Sequence, residues 1–308
     1  MNPLTRRQML SSLAGVVGGS LAVPRPALAI PEFDRPGDPT FLLSLAAYSF
    51  RDYFATVKGN PQKTPDGREP MTMAGFIDYC AARGLAGAEL TGYFFPPEFE
   101  AADYRKIRRH AFLRGVAVSG TAIGNDFTLD DKSAHAAQIA DAKVWIDRAA
   151  AMGAPHIRLF AGSGKGREKD AAMAQCIAAL EECSTYAGEH GIFVGLENHG
   201  GIVAEADDLL AITGAVDSDW FGISLDTGNF HTANPYGDLA RCAPYAVNVQ
   251  VKARIRPADG KESPADYTKI AQLLRDDKYQ GFVVLEYEEE TPLERVPSHL
   301  KALAKALE

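Results

Sequence analysis

The chain is poor in cysteine and has no paired cysteine motif. Cys80, Cys176, Cys183 and Cys242 are its four cysteines, and none forms a Cys-x-x-Cys pair. A zinc ribbon and a thioredoxin-type redox site are therefore excluded. Cys176 and Cys183 fall on one face of a helical pattern as core residues, and no disulfide is expected. Positive charge is also scarce. There are 32 Lys and Arg against 40 Asp and Glu, a formal net charge of −8, which opposes a nucleic-acid partner. Beyond the first thirty residues no run is apolar enough to span a bilayer. Neither a solenoid repeat nor a domain boundary is visible. The loop Gly162-Ser163-Gly164-Lys165-Gly166 lacks the Lys-Ser/Thr ending of a phosphate-binding loop, and its glycines serve equally well in a turn. The 308 residues, 46% hydrophobic and 23% charged, have ordinary globular composition. They suffice for two domains or for one large α/β barrel.

The amino terminus reads as an address. Thr5-Arg6-Arg7-Gln8 precedes a short, Gly-rich apolar stretch, and Pro26-Ala27-Leu28-Ala29 ends it with small residues around a cleavage point. A basic start, an apolar stretch and an A-x-A ending mark an export signal, and the adjacent arginines resemble the twin-arginine type. The expectation is a bacterial, periplasmic protein with residues 1–29 removed and no stable membrane span afterwards. Loss of Arg6, Arg7 and Arg25, with no acid among the 29, would take the net charge from −8 to −11.

From there, short apolar runs alternate with stretches of helical period, the pattern of a parallel sheet built from βα units. Strands are expected at Phe41–Ala47, Ala86–Leu90, Val116–Gly120, His156–Phe160, Ile192–Leu196, Phe221–Leu225, Ala246–Val251 and Phe282–Leu285. Helices are expected at Met73–Arg83, Ala101–Arg114, Ser133–Met152, Lys169–His190, near Ala204, near Leu239, at Ala265–Arg275 and at Pro292–Leu307. Eight strands, each followed by a helix, close a single (β/α)₈ TIM barrel over residues 30–308.

In such a barrel the active site lies at the C-terminal ends of the strands. Strand five runs into Glu197 and His199, strand six into Asp226, strand seven into Gln250 and Lys252, and strand eight into Glu286, with Glu288 at the same parity. Taken singly, these residues read as helix caps, turn formers or satisfied core groups. Together they deliver three carboxylates and a carboxamide to one rim, and clustered carboxylates need a counter-charge. A divalent cation supplies it. An all-oxygen set, Glu197, Asp226, Gln250 and Glu286, favours Mn²⁺ or Mg²⁺, with Co²⁺ and Zn²⁺ also compatible. Glu89, Arg158, Arg254 and His231 are candidate substrate-binding residues on the same rim, or simple ion pairs. Tyr48, Phe50, Phe94, Phe95 and Phe127, in the first loops, suit either sugar stacking or core packing.

These motifs, Glu197-Asn198-His199, Asp226-Thr227-Gly228-Asn229, Gln250-Val251-Lys252 and Leu285-Glu286-Tyr287, resemble the xylose isomerase-like barrel family, also called the sugar phosphate isomerase/epimerase family. The resemblance runs from about Phe41 to the end. It implies one divalent metal on the strand ends. Many members have His where this chain has Gln250. The Glu-x-His and Gln-x-Lys pairs are more similar to the 3-dehydroshikimate dehydratase branch and to exported relatives acting on 3-keto glycosides. In that branch the residues matching His199 and Lys252 are implied in proton transfer and enolate handling. In the ketose epimerases the glutamates matching Glu197 and Glu286 move the proton instead.

All these reactions take a proton from the carbon beside a carbonyl. The expected activity is therefore metal-dependent α-proton abstraction on a keto sugar or related polyol, followed by β-elimination. Sugar isomerisation or epimerisation at the same site, and a non-catalytic sugar-binding protein, are the alternatives. The expected partner is a small carbohydrate-like molecule. The outer helices leave room for a homo-oligomer.

Overall fold

Leu, Val, Ile and small residues dominate the eight extended segments, and burial on both faces gives such segments near-continuous apolar runs. A computed structural model describes residues 30–308. The expected leader lies outside the described residues. Strands β1 (Thr40–Ala46), β2 (Gly87–Thr91), β3 (Ala117–Ala122), β4 (His156–Leu159), β5 (Phe193–Glu197), β6 (Phe221–Asp226), β7 (Ala246–Lys252) and β8 (Gln280–Glu286) are all parallel. They close into one barrel, with β8 paired to β1. Around it lie α1 (Met73–Ala81), α2 (Ala101–Leu113), α3 (Lys132–Met152), α4 (Lys169–Glu189), α5 (Ala206–Ala215), α6 (Pro235–Cys242), α7 (Tyr267–Asp276) and α8 (Pro292–Leu307). No helix among the described residues is long and apolar enough to cross a membrane. The four cysteines are buried and free.

The expected elements fall where they were placed, with ends shifted by one or two residues. Two small antiparallel ribbons, Thr56–Val57 with Asn60–Pro61 and Arg254–Ile255 with Ser263–Pro264, carry no strong pattern and were not foreseen. Caps explain several helix starts: the Thr72, Asp131, Asn234 and Asp266 side chains each accept a hydrogen bond from a backbone N–H in the first turn.

The lumen holds polar side chains below the mouth as well as at it. Ser44 of β1 and Ser119 of β3 are not on neighbouring strands, yet their hydroxyls meet at 2.7 Å. Their contact therefore lies inside the barrel. At the N-terminal pole the lumen is closed by an aromatic plug. Phe33 packs edge-on against Phe193 at 6.2 Å, and its N–H donates to the Pro244 carbonyl. Arg35 beside it pairs with Asp277 and donates to the Ala246 carbonyl at 2.7 Å.

His156 opens β4, and its imidazole lies directly against Gly120 of β3, where any Cβ would overlap the ring. Burial pushes its pKa down to about 4. Unfolded, the ring titrates near ~6.5. Its contribution to stability is thus present above that value and lost as pH falls towards 4. His156→Gln is expected to flatten the fall in stability between pH 7 and pH 4.5. Urea denaturation across that range checks it, and an unchanged slope would count against the assignment.

Candidate active site at the C-terminal mouth

Short-range bonding sets the strand ends. Asn198, just past β5, extends the ladder: its amide donates to the Asp226 carbonyl at 2.9 Å, and its oxygen accepts from the Asp226 N–H at 2.8 Å. Thr227 ties β6 to β7, donating its N–H to the Gln250 carbonyl and accepting from the Lys252 N–H. Gly228 follows because a Cβ there would collide with the Lys252 stem. Its N–H donates to Asp226 Oδ1 at 2.8 Å. These links fix Glu197, Asp226, Gln250 and Lys252 on adjoining strands.

Lys252 Nζ stands among three acids: Glu286 Oε2 at 2.5 Å, Glu288 Oε1 at 2.8 Å and Asp226 Oδ2 at 3.2 Å. Arg158 Nε meets Glu197 Oε2 at 2.6 Å, and Asn229 Nδ2 donates to Glu197 Oε1 at 2.9 Å. Both bases and the three strand-end acids are buried. For Lys252, burial works against its charge, but Asp226, Glu286 and Glu288 outweigh that and hold it well above its ordinary range. Arg158 is likewise raised, with Glu197 the main group opposing burial. The acids are raised as well, which for them favours the neutral form. Burial is the largest cause for both; the Lys252 charge opposes it and neighbouring carboxylates add to it, and the result raises Glu286 and raises Asp226 well above the usual carboxylate range. Four acids (Glu197, Asp226, Glu286, Glu288) against two bases leave the mouth short of positive charge.

Glu89 lies deeper, fully buried. It accepts from Gln250 Nε2 at 2.8 Å and from Asn248 Nδ2 at 3.1 Å, both across the lumen from β2 to β7. Burial, with the Glu286 charge second, pushes its pKa up to about 8.

His199 sits at the rim. Its ring lies tilted against Phe160, with centroids 4.1 Å apart, and the Arg158 guanidinium lies 4.0 Å from the centre of the Phe160 ring. Among the described residues its ring nitrogens have no hydrogen-bond partner. His199 opens onto a cavity of about 220 Å³ with Asn125, Phe160 and Ser163. A second cavity, also about 220 Å³, is lined by Lys252, Asn229, Arg254, His231 and Glu288. In it, Arg254 Nε pairs with Glu262 at 3.1 Å and His231 Nδ1 lies 2.9 Å from the Arg256 carbonyl. The ribbon that was not foreseen supplies this wall.

The structure thus gathers Glu197, Asp226, Gln250, Lys252 and Glu286 at one mouth, joins Arg158 to Glu197 and sets Glu89 under Gln250. His199 lines one cavity, and His231 and Arg254 line the other. Phe50, Phe94, Phe95 and Phe127 belong to the buried core, and Tyr48 is half-buried. Sequence reasoning passed over Asn248 and Phe160. Asn248 shares the parity of Gln250, a signal that was available. Nothing in the spacing marks Phe160 as the seat of His199.

Among the described residues, no three His, Cys, Asp or Glu side chains stand as a ready metal-binding group. The donor chemistry nonetheless fits a hard divalent cation. Among the described residues Gln250 Oε1 is buried without a hydrogen-bond partner and Asp226 Oδ2 has only the Lys252 ammonium at 3.2 Å, and the surrounding acids outnumber the bases. An incoming cation would compete with Lys252 for these oxygens.

The model of one family, described as xylose isomerase-like TIM barrel, matches residues 77–306. No curated protein matches the chain. Among solved structures, the chain is similar to a 3-keto-D-glucoside 4-epimerase from E. coli, with 16% identity, TM-score 0.68, and 86% of this chain and 100% of that one covered. It is similar to a probable 3-DHS dehydratase from Bacillus anthracis, at 18% identity and TM-score 0.64 over 86% and 98% of the two chains. A D-psicose 3-epimerase from Clostridium cellulolyticum H10 gives 14% identity and TM-score 0.68 over 87% and 99%. At these identities the likeness speaks for the fold.

Proposed function

We propose, from the premise that the chain belongs to the xylose isomerase-like TIM barrel family, that it is an enzyme acting on a keto sugar or related polyol by α-proton abstraction and β-elimination. The observation that carries elimination is the division of labour at the mouth. Glu197 and Glu286, the proton carriers of an epimerase, are engaged by Arg158 and Lys252. His199 keeps unpartnered ring nitrogens beside its own cavity.

In this reading His199 takes the proton from the carbon next to the carbonyl. The Lys252 ammonium faces the oxygen on which negative charge develops. As the carbon–carbon double bond forms, the bond to the β-oxygen breaks, and the imidazolium returns its proton to the departing oxygen. Arg254 and His231 bind hydroxyls of the same substrate. A divalent cation, Mn²⁺ or Mg²⁺ by hardness, would be held by Glu197, Asp226, Gln250 and Glu286 and would supply Lewis-acid stabilisation of the developing charge. The first 29 residues act as a twin-arginine export signal, placing the enzyme in a bacterial periplasm.

The test is incubation of the full chain with Mn²⁺ in D₂O against 3-keto glycosides, 3-dehydroshikimate and free ketoses. Release of a leaving group with an unsaturated product is expected. Deuterium at the α-carbon with the skeleton intact would replace elimination by epimerisation or isomerisation. No exchange and no release from any substrate would sink the enzyme reading in favour of a sugar-binding protein.

A further inference from the structure

Gln250 stands at the mouth on β7, and an amide can turn either its oxygen or its nitrogen towards the opening. The structure removes that freedom. Glu89 is fully buried on β2, and a carboxyl oxygen there accepts from Gln250 Nε2 at 2.8 Å. The other Glu89 oxygen accepts from Asn248 Nδ2 at 3.1 Å. An acceptor under the amide selects its N–H end, so Oε1 is turned away from Glu89. That oxygen is buried and has no hydrogen-bond partner. A buried acceptor left unpaired keeps its full desolvation cost, so its retention calls for something to bind. In register beside it on β6 is Asp226, whose Oδ2 meets only the Lys252 ammonium, at 3.2 Å.

We infer that Glu89 is a positioning residue: by holding the Gln250 N–H it aims the Gln250 carbonyl oxygen as a metal ligand, which makes the ligand set all-oxygen and selects Mn²⁺ or Mg²⁺ over Zn²⁺. This rests on the divalent-metal reading above. It also moves Glu89 from the substrate to the layer beneath the ligands, where partners of ligand atoms tune affinity. Glu89→Gln keeps the shape but brings an NH₂ of its own, which can donate to Gln250 Oε1 and let the amide turn over. Gln250→Leu removes the oxygen outright.

The experiment is a Mn²⁺ titration of the full chain, read by the electron paramagnetic resonance signal of free Mn²⁺, with Zn²⁺ competition and a melting curve for each variant. Glu89→Gln is expected to weaken Mn²⁺ binding about 10–100-fold, the usual span for a lost ligand partner. Gln250→Leu is expected to weaken it at least as much, and Gln250→His to shift preference towards Zn²⁺. Wild-type Mn²⁺ affinity in Glu89→Gln would overturn the positioning role, and wild-type affinity in Gln250→Leu would remove Gln250 from the ligands and overturn the inference equally. A wild-type chain that binds no Mn²⁺ at all would overturn the metal reading itself.

Discussion

His199→Ala is expected to lower kcat/KM on the substrate that the D₂O panel identifies by about 10²–10⁴-fold, the range for loss of a general acid–base group. Its metal affinity should stay at the wild-type level. The imidazole is exposed at the rim and touches the structure mainly through its tilted contact with Phe160 at 4.1 Å. Losing that contact costs about 0.5–1.5 kcal/mol, so the fold survives. Three readouts separate chemistry from structure: turnover, Mn²⁺ binding and the melting temperature. Wild-type turnover in this variant would remove His199 from the reaction and return the proton to Glu197 or Glu286, the epimerase pattern. A parallel fall in Mn²⁺ binding would mean that the imidazole serves the metal site instead.

Lys252→Met should be costly twice over. Its ammonium is the common partner of Asp226, Glu286 and Glu288, at 3.2, 2.5 and 2.8 Å. Methionine keeps the stem that passes over Gly228 but removes the charge. Breaking a buried ion pair from one side typically costs about 3–5 kcal/mol, because the other charge stays behind unpaired. Loss of a group that stabilises developing negative charge costs a further ~10²–10³-fold in kcat. Urea denaturation of chelated protein checks the first figure, and turnover under saturating Mn²⁺ checks the second. Excess Mn²⁺ is expected to restore part of the stability, since it supplies positive charge to the same carboxylates. A variant with wild-type kcat would show that Lys252 is a structural counter-ion only.

The barrel was legible because its signals are local. Each strand is an apolar run of a few residues and each helix a periodic stretch, so their count and order survive small errors at the ends. The carboxylates of β5, β6 and β8 were legible for a related reason. Strand parity puts Glu197, Asp226 and Glu286 where a parallel barrel keeps its chemistry. The links between them were not. Glu89 and Gln250 lie 161 positions apart and meet only because the sheet closes. From the sequence Glu89 looked like a rim acid facing substrate, whereas its bonds to both Asn248 and Gln250 hold it inside the lumen. The contact of Arg158, Phe160 and His199 joins β4 to the loop after β5 through ring geometry that spacing does not encode. The aromatics after the first strands were read both ways, and burial settles four of them as core.

The closure of the opposite pole has a practical corollary. Phe33 and Arg35 lead the chain into the barrel beneath the strands, against Phe193, Pro244 and Ala246. The mouth with Lys252 and His199 opens at the far end of the same axis. The described chain, from Ile30 on, thus enters at the pole opposite the chemistry. An enzyme immobilised through that end would present its open mouth to the solution, while immobilisation through the Arg254–Pro264 ribbon would block it.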